Sequence, residues 1–599
     1  MADDASAVIA PPPFREAHLL PVDLEIERRA DGTILIRSNV PLRSYDANIP
    51  AAFARRATES GDKPALGQRD ADGEWKFTSF AQLKRDMDAA TQWLMDQPQA
   101  GPVLILAGNT PAFAVMSFAA QASGRAACPV SVTYAALGGD YGRLAHVIAK
   151  VKPAVVFAED SAMAAGALQT LDLGGATIVT IDPSRLSKPA TAYAEVLATI
   201  ATPQVAESIA ALKPHDRAAL MLTPGSTGLP KVVPITFDNL AANSAQCQQT
   251  IGEAAGWHEA MLDWLPWHHA AGAFVLRTTL LEGGTLYIDD GKPAPGLFET
   301  SIKNLREISV SYFNNVPLGY TMLVDALEKD PVLRATFFKK MRLMLYGGAG
   351  LSQTVHDRLQ AAAIAETGHR IMMTSGYGMT ETVSAFMVIH FETDKVGIGL
   401  PAPGTTLKLS PVGERYEVRA KGPNVTKGYL DEPEKTADAF DEEGFYRTGD
   451  LAVFHDPADP TQGLAFAGRA AEEFKLSSGT WVYGGSLRDG ILKALSPLVL
   501  DLVLCDDGRP YLGVMLWPKA DADLAEIGKR LAAFNVGQSG GAARVKRALL
   551  LTQPPSANAH EISDKGTINR RAVIDRRADQ VERLFAETPD AGVMVMVLG

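Results

Sequence analysis

The chain has 599 residues, 46% of them hydrophobic and 21% charged, and a formal net charge of −12 from 57 Lys and Arg against 69 Asp and Glu. Its length is several times the usual domain of about 100–200 residues and its composition is that of ordinary globular proteins, which excludes a small single module, a disordered chain and a fibrous one. With an acidic balance and no basic run, no nucleic-acid partner is expected.

In chain order, the acidic opening "MADDASAVIAPPPF" lacks a basic region followed by an apolar one, so it reads as no secretory signal, and a cytoplasmic protein is expected. Strand-like runs such as "PVLILAGN", "PAVVFAED" and "ATIVTID" alternate with helical stretches such as "FAQLKRDMDAATQWLMDQ", the pattern of parallel sheets flanked by helices. The most apolar window is broken at Asn109, Thr110 and Pro111 and reads as strand, turn and buried helix, so no membrane partner is expected. From about Val396 short β-prone pieces punctuated by Gly, Pro and Asp indicate a β-rich subdomain over about 396–467. A further change near Gly468 introduces strand-like "LVLDLVLCDDGRPYLGVMLWP", helix-like "DADLAEIGKRLAAFN" and a basic amphipathic segment, "NRRAVIDRRADQVERLF". The expected fold is therefore α/β, with a large layered N-terminal domain over 1–467 and a small α+β C-terminal domain over 468–599. Cys128, Cys247 and Cys505 show neither disulfide nor zinc spacing and read as buried small hydrophobes.

Three stretches carry candidate chemistry. "TPGSTGLPK", Thr223 to Lys231, joins two strand-like runs and lacks the GK[ST]-helix context of a Walker loop. The backbone N–H groups of Pro224–Gly228 (Pro224 itself excepted), the hydroxyls of Thr223, Ser226 and Thr227, and the charge of Lys231 suit an anion nest, although an ordinary Gly/Pro turn is an equal reading. "SGYGMTET" sets an aromatic Tyr377 beside Thr380 and Glu381, a ring for stacking a base and hard oxygens for Mg²⁺, or a surface turn. "GFYRTGDLA" carries Asp450 after Gly449, a carboxylate able to accept two ribose hydroxyls or a plain turn residue.

Taken in order with "LDWLPWHHAAGA" at 262–273, "LYGGAG" at 345–350, "GLPAPGTTLKL" at 399–409 and "GRAAEEFKLSSGTWV" at 468–482, these stretches resemble the adenylate-forming superfamily of acyl-CoA synthetases, luciferases and adenylation domains. The resemblance implies ATP, Mg²⁺ and coenzyme A as small-molecule partners of a carboxylic acid, and allows a homodimer. It assigns Thr223, Pro224, Gly225, Ser226, Thr227, Gly228 and Lys231 to the ATP phosphates, Gly347, Gly348, Ala349 and Tyr377 to the adenine, and Gly376, Gly378 and Met379 to the ATP site. Thr380 and Glu381 fall to the α-phosphate and Mg²⁺, with Glu381 as metal ligand, Asp450 to the ribose, and Arg469 to the hinge between domains. His269 matches the position between the carboxylate pocket and the CoA channel. Departures from the pattern are Pro224 for Ser or Thr, Ala471 at the hinge, and Thr567 where the superfamily has its C-terminal lysine. Lys565, one residue before Gly566, is expected to serve adenylation instead, and Lys475 the thioester step. The tail "EISDKGTINRRAV", the segment "FKLSSGTWV" and the N-terminal lead-in resemble the bacterial feruloyl-CoA synthetase branch, which implies an aromatic hydroxycinnamate-type acid and a flat pocket drawing on His269, Tyr312, Phe313 and Gly376. Benzoate-type and medium-chain acids, and a carrier-protein thiol in place of CoA, are the alternatives.

Overall fold

The apolar runs near residues 103, 155 and 177 form neighbouring strands at the centre of a seven-stranded sheet in the computed structural model. The structure describes residues 11–136, 141–223, 229–294, 296–470, 473–475, 481–505, 509–520, 522–538, 543–556, 559, 561–562 and 568–596. The sheet order is Lys231–Thr236, Arg217–Thr223, Ala127–Val130, Val103–Leu106, Val155–Ala158, Thr177–Thr180 and Thr191–Ala192, parallel throughout except for the first pair. Every residue of Val103–Leu106, Ala127–Val130 and Val155–Ala158 is buried, as parallel strands covered on both faces require. The break at Asn109–Pro111 is a helix start. Thr110 accepts the Phe113 N–H, and Pro111 occupies the first turn, where its missing N–H would have had no intrahelical partner.

A second sheet, of five strands, sets Tyr312–Asn315, Leu343–Gly347 and Met372–Gly378 in parallel and then turns antiparallel through Ala385–Val388 and Leu400–Pro401. Its parallel strands end together, and crevices outside the carboxyl ends of such strands are where α/β proteins bind ligands. A four-stranded sheet, Ala260–Asp263, Thr285–Ile288, Pro64–Arg69 and Trp75–Ser79, stands beside them.

The β-prone pieces beyond residue 400 make a six-stranded antiparallel sheet, ordered Leu24–Arg28, Ile34–Ser38, Thr406–Val412, Arg415–Lys421, Tyr446–Phe454 and Leu464–Arg469. Two features depart from the sequence reading. The N-terminal lead-in is a hairpin that completes this sheet, and Gly468 sits inside its last strand. After it, Glu473–Lys475 pairs with Trp481–Tyr483. The C-terminal domain is α+β, with Val499–Cys505, Leu512–Pro518, Val545–Leu550 and Val593–Val595 in one sheet. The basic tail, read as one segment, forms two helices, Arg570–Arg576 and Ala578–Phe585, separated at Arg577, whose guanidinium is drawn onto the fully buried Glu561 at 2.6 and 2.8 Å. Cys128, Cys247 and Cys505 are buried and unbridged. Among the described residues no helix is long and apolar enough to cross a membrane.

Candidate active site

Two polar clusters meet at the ends of these sheets. The first grows from the Thr223–Lys231 turn. Thr223 and Lys231 stand opposite one another at one end of an antiparallel pair; Pro224, Gly225, Ser226, Thr227 and Gly228 between them lie outside the described residues. Lys231 Nζ donates to the Tyr429 hydroxyl at 2.7 Å and lies 3.7 Å from Glu381 Oε1. The Tyr429 hydroxyl in turn donates to Glu381 Oε1 at 2.9 Å and lies 3.3 Å from the Tyr446 hydroxyl. Burial lowers the Lys231 pKa, and the Glu381 carboxylate opposes that shift. The cluster is an ion pair of Lys231 and Glu381 bridged by the Tyr429 phenol, in a place where charge interactions are weakly screened.

Backbone bonds fix that triangle. Leu430 N–H donates to Val232 O at 2.9 Å and Thr426 N–H to Glu381 O at 2.8 Å, while Thr426 Oγ1 donates to Pro234 O at 2.7 Å. The segment 426–430 is thus threaded between the strand carrying Lys231 and the Thr380–Thr382 turn carrying Glu381. Tyr429 and Tyr446 were not singled out from sequence; Tyr429 stands in "KGYL", which reads as a turn followed by core, and Tyr446 in "GFYRTGDLA", where Asp450 drew the reading.

The second cluster follows from strand Met372–Gly378. The Tyr377 hydroxyl donates to Asp450 Oδ2 at 2.9 Å, and Arg469 Nε lies 3.3 Å from Asp450 Oδ1. Asp450 and Arg469 are register partners on adjacent strands. Burial raises the Asp450 pKa, countered by Arg469 and by the Tyr377 hydrogen bond, and burial pushes the Tyr377 phenol well up. Gly347 and Gly376 face each other across the parallel pair, and a Cβ on Gly376 would come within 3.2 Å of Leu345 Cδ2. Gly348 has φ +79, and beside it Ala349 completes the turn leaving Leu343–Gly347. A Cβ on Gly378 would collide with the Ser384 carbonyl, so only glycine permits the return that leads through Met379 to Thr380 and Glu381.

His269 occupies the N-cap position of helix Ala270–Glu282, its N–H donating to Pro266 O at 2.9 Å and its ring 4.3 Å from that of His268. Asn109 clamps this turn by accepting from Trp267 N–H and donating to Leu265 O, both at 2.9 Å. The structure separates the remaining pocket candidates. Tyr312 and Phe313 are consecutive strand residues and point to opposite faces. Tyr312 is buried against Trp257, and Phe313 against Tyr320 and Phe337 in a separate core. Phe313 is therefore a core residue and not a pocket wall. Lys475 ends a short strand opposite Trp481. Lys565 lies outside the described residues; Ile562 and Ile568 on either side of 563–567 form an antiparallel bridge.

Among the described residues no group of three or more His, Cys, Asp or Glu is arranged to hold a metal. Glu381 nonetheless offers a buried hard carboxylate beside the Thr380 hydroxyl, and one or two carboxylates plus substrate phosphates are the usual ligand set of Mg²⁺.

The AMP-binding enzyme model matches residues 53–430 and the AMP-binding enzyme C-terminal domain model residues 474–589. The chain belongs to the AMP-binding enzyme family. A feruloyl-CoA synthase of Amycolatopsis is 31% identical to this AMP-binding enzyme over 250 residues, 40% of the chain and 47% of the relative; the chain thus spans about half that relative's length. Long-chain-fatty-acid–CoA ligase 1 of Cavia porcellus is 24% identical over 518 residues, 75% of this chain and 71% of the relative. ATP-bound MatB of Rhodopseudomonas palustris shares the fold, with a TM-score of 0.67 at 23% identity over 90% of this chain and all of MatB.

Proposed function

We propose that this AMP-binding enzyme is an AMP-forming acid:CoA ligase that activates an aromatic, hydroxycinnamate-type carboxylic acid. The observation that carries the reading is the continuity of the two clusters: Tyr377 and Glu381 are four residues apart on one strand end and turn, so a base-and-ribose site of Tyr377, Asp450 and Arg469 adjoins a phosphate site of Lys231, Tyr429 and Glu381. A nucleotide laid along that line meets each of its parts in order. The feruloyl-CoA synthase likeness over 250 residues supports the aromatic acid.

A carboxylate is a poor acyl donor because its leaving group would be oxide. In the first half-reaction an oxygen of the acid attacks the α-phosphorus of ATP, the bond from that phosphorus to the bridging oxygen breaks, and pyrophosphate departs. Lys231, held in place by Tyr429 beside Glu381, stabilises the charge that develops on the phosphates, and Asp450 holds the ribose by accepting from its hydroxyls. Glu381, with Thr380 alongside, would hold Mg²⁺, which would supply further charge neutralisation on the phosphates. In the second half-reaction the CoA thiolate attacks the acyl carbonyl carbon and AMP leaves. Lys565 serves the first step and Lys475 the second, exchanged by rotation of the C-terminal domain about Gly468 and Arg469, with His269 between the acid and the thiol.

The test is AMP release across ferulate, 4-coumarate, benzoate and octanoate, each with ATP, magnesium and CoA. Turnover on the hydroxycinnamates ahead of the other acids is expected. Turnover on octanoate alone would overturn the substrate class, and no acid-dependent AMP at all would overturn the activity.

A further inference from the structure

Beneath the His269 turn lies a cavity of about 50 Å³. Its position is given by its lining: Met221 is two residues before Thr223, Val383 two after Glu381, and Trp267 two before His269. The helix beginning after His269 contributes Ala270, Ala273 and Arg277, which at i, i+3 and i+7 share one helical face. Eight residues of helix place Arg277 about 12 Å from His269 along the axis.

Arg277 is an unusual residue to find there. It is only 5% exposed, donates from Nε to Ser244 Oγ at 3.0 Å, and among the described residues its Nη2 has no hydrogen-bond partner. Burial lowers its pKa to about 10, so it is charged at neutral pH. The one ionisable neighbour opposing that shift is the buried Cys247 thiol, itself pushed up to about 12 and thus neutral. Ser244 Oγ and the Phe274 ring, 5.6 Å from the guanidinium carbon, meet part of the cation, but a buried donor left unpaired at Nη2 is costly, and that penalty is relieved when a ligand atom supplies the missing bond. The space beside it exceeds the roughly 10–15 Å³ that one water-sized sphere needs, and accommodates a small terminal group. The remaining wall is largely apolar, with Phe113 and Gln121 facing the helix.

We infer that Arg277 anchors the far end of the acid substrate, its Nη2 donating into this cavity to an acceptor oxygen that the acid carries at the end opposite its reacting carboxylate. The inference rests on the ligase reading and narrows it to acids with such an oxygen: a ring hydroxyl or methoxy group, or a second carboxylate. Ala270 and Ala273, with short side chains, line the cavity on the helical face between the His269 turn and Arg277. A site that holds a buried donor discriminates strongly against an analogue lacking the acceptor, because the donor is then left unpaired.

The experiment is a binding titration with turnover blocked by α,β-methylene ATP, comparing cinnamate, 4-coumarate, ferulate and 4-carboxycinnamate on the wild-type protein and on Arg277→Met and Arg277→Lys. The expected wild-type preference for an oxygen-bearing acid over cinnamate is about ten-fold or more. It falls toward one in Arg277→Met and is partly kept in Arg277→Lys; the stronger of the 4-coumarate and 4-carboxycinnamate responses identifies the oxygen. Should Arg277→Met not fold, Ser244→Ala, which removes the hydroxyl that orients the guanidinium, is expected to lower the same ratio by a smaller factor. Equal wild-type binding of cinnamate and the oxygen-bearing acids, or a preference unchanged in the variants, overturns the inference. Oxygen-dependent binding without acid-dependent pyrophosphate exchange would sink the ligase reading and leave Arg277 in place; exchange with no oxygen preference would do the reverse.

Discussion

The two ends of the nucleotide line are built differently. At the phosphate end the cation is tucked in: the Lys231 side chain is 23% exposed and Glu381 5%, with two tyrosine hydroxyls filling the space around them. At the ribose end the carboxylate is buried but its cation is not, since the Arg469 side chain is 59% exposed and sits on the last strand before the C-terminal domain. On the proposed reaction, the charge that acts on leaving pyrophosphate is preorganised, whereas the one before the C-terminal strands is left exposed and able to change partners. The contrast predicts a steep gradient of mutational effects along one ligand.

The largest effect belongs to Lys231→Met. It removes a preset cation from where charge develops and is expected to lower acid-dependent pyrophosphate exchange about 10²–10³-fold. A loss below ten-fold would show that the phosphate end is not preorganised as described. Next is Glu381→Gln, for which a loss of about 10²-fold in kcat/KM is expected, with the magnesium concentration needed for half-maximal rate rising in parallel; an unchanged magnesium requirement would remove Glu381 as the metal ligand. Asp450→Asn replaces charge-assisted bonds to the ribose with neutral ones, and an increase in the KM for ATP of about 10–100-fold is expected.

Asp450 also predicts a pH dependence. Burial raises its pKa, and the ribose needs the ionised form, so ATP binding weakens as pH falls through that raised range. In Asp450→Asn the acid limb flattens. The smallest effect is that of Arg469→Ala, because an ion pair with one exposed partner contributes at most about 1 kcal/mol, so the change in KM for ATP is expected to stay within about five-fold. An effect as large as that of Lys231→Met would erase the contrast between the two ends.

How much of this could be read from the sequence follows the same division. Lys231, Tyr377, Glu381, Asp450 and Arg469 were legible through the order of the motifs and the superfamily resemblance that order carries, since each Gly- and Pro-marked stretch read alone is as well a plain turn; the structure sets Lys231, Tyr377, Asp450 and Arg469 in strands and Glu381 in the turn after one. Tyr429 and Tyr446 were not, since a buried tyrosine looks like core until its hydroxyl partner is known. The hairpin of residues 24–38 escaped because its sheet partner begins at Thr406, and pairing at that distance leaves no local trace. Phe313 was misplaced by treating neighbours in a strand as neighbours in a pocket, where alternation sends them apart. Arg277 was invisible for another reason: one Arg in an apolar helical stretch is ordinary until its burial and its unpaired nitrogen are seen.

The central claim is that a carboxylic acid is activated as its acyl-adenylate on the line from Tyr377 to Lys231. Exchange of labelled pyrophosphate into ATP, with magnesium and ferulate and without CoA, tests it most directly. The prediction is exchange that depends on the acid and collapses in Lys231→Met. Formation of ADP, or exchange that proceeds equally without any acid, would contradict it.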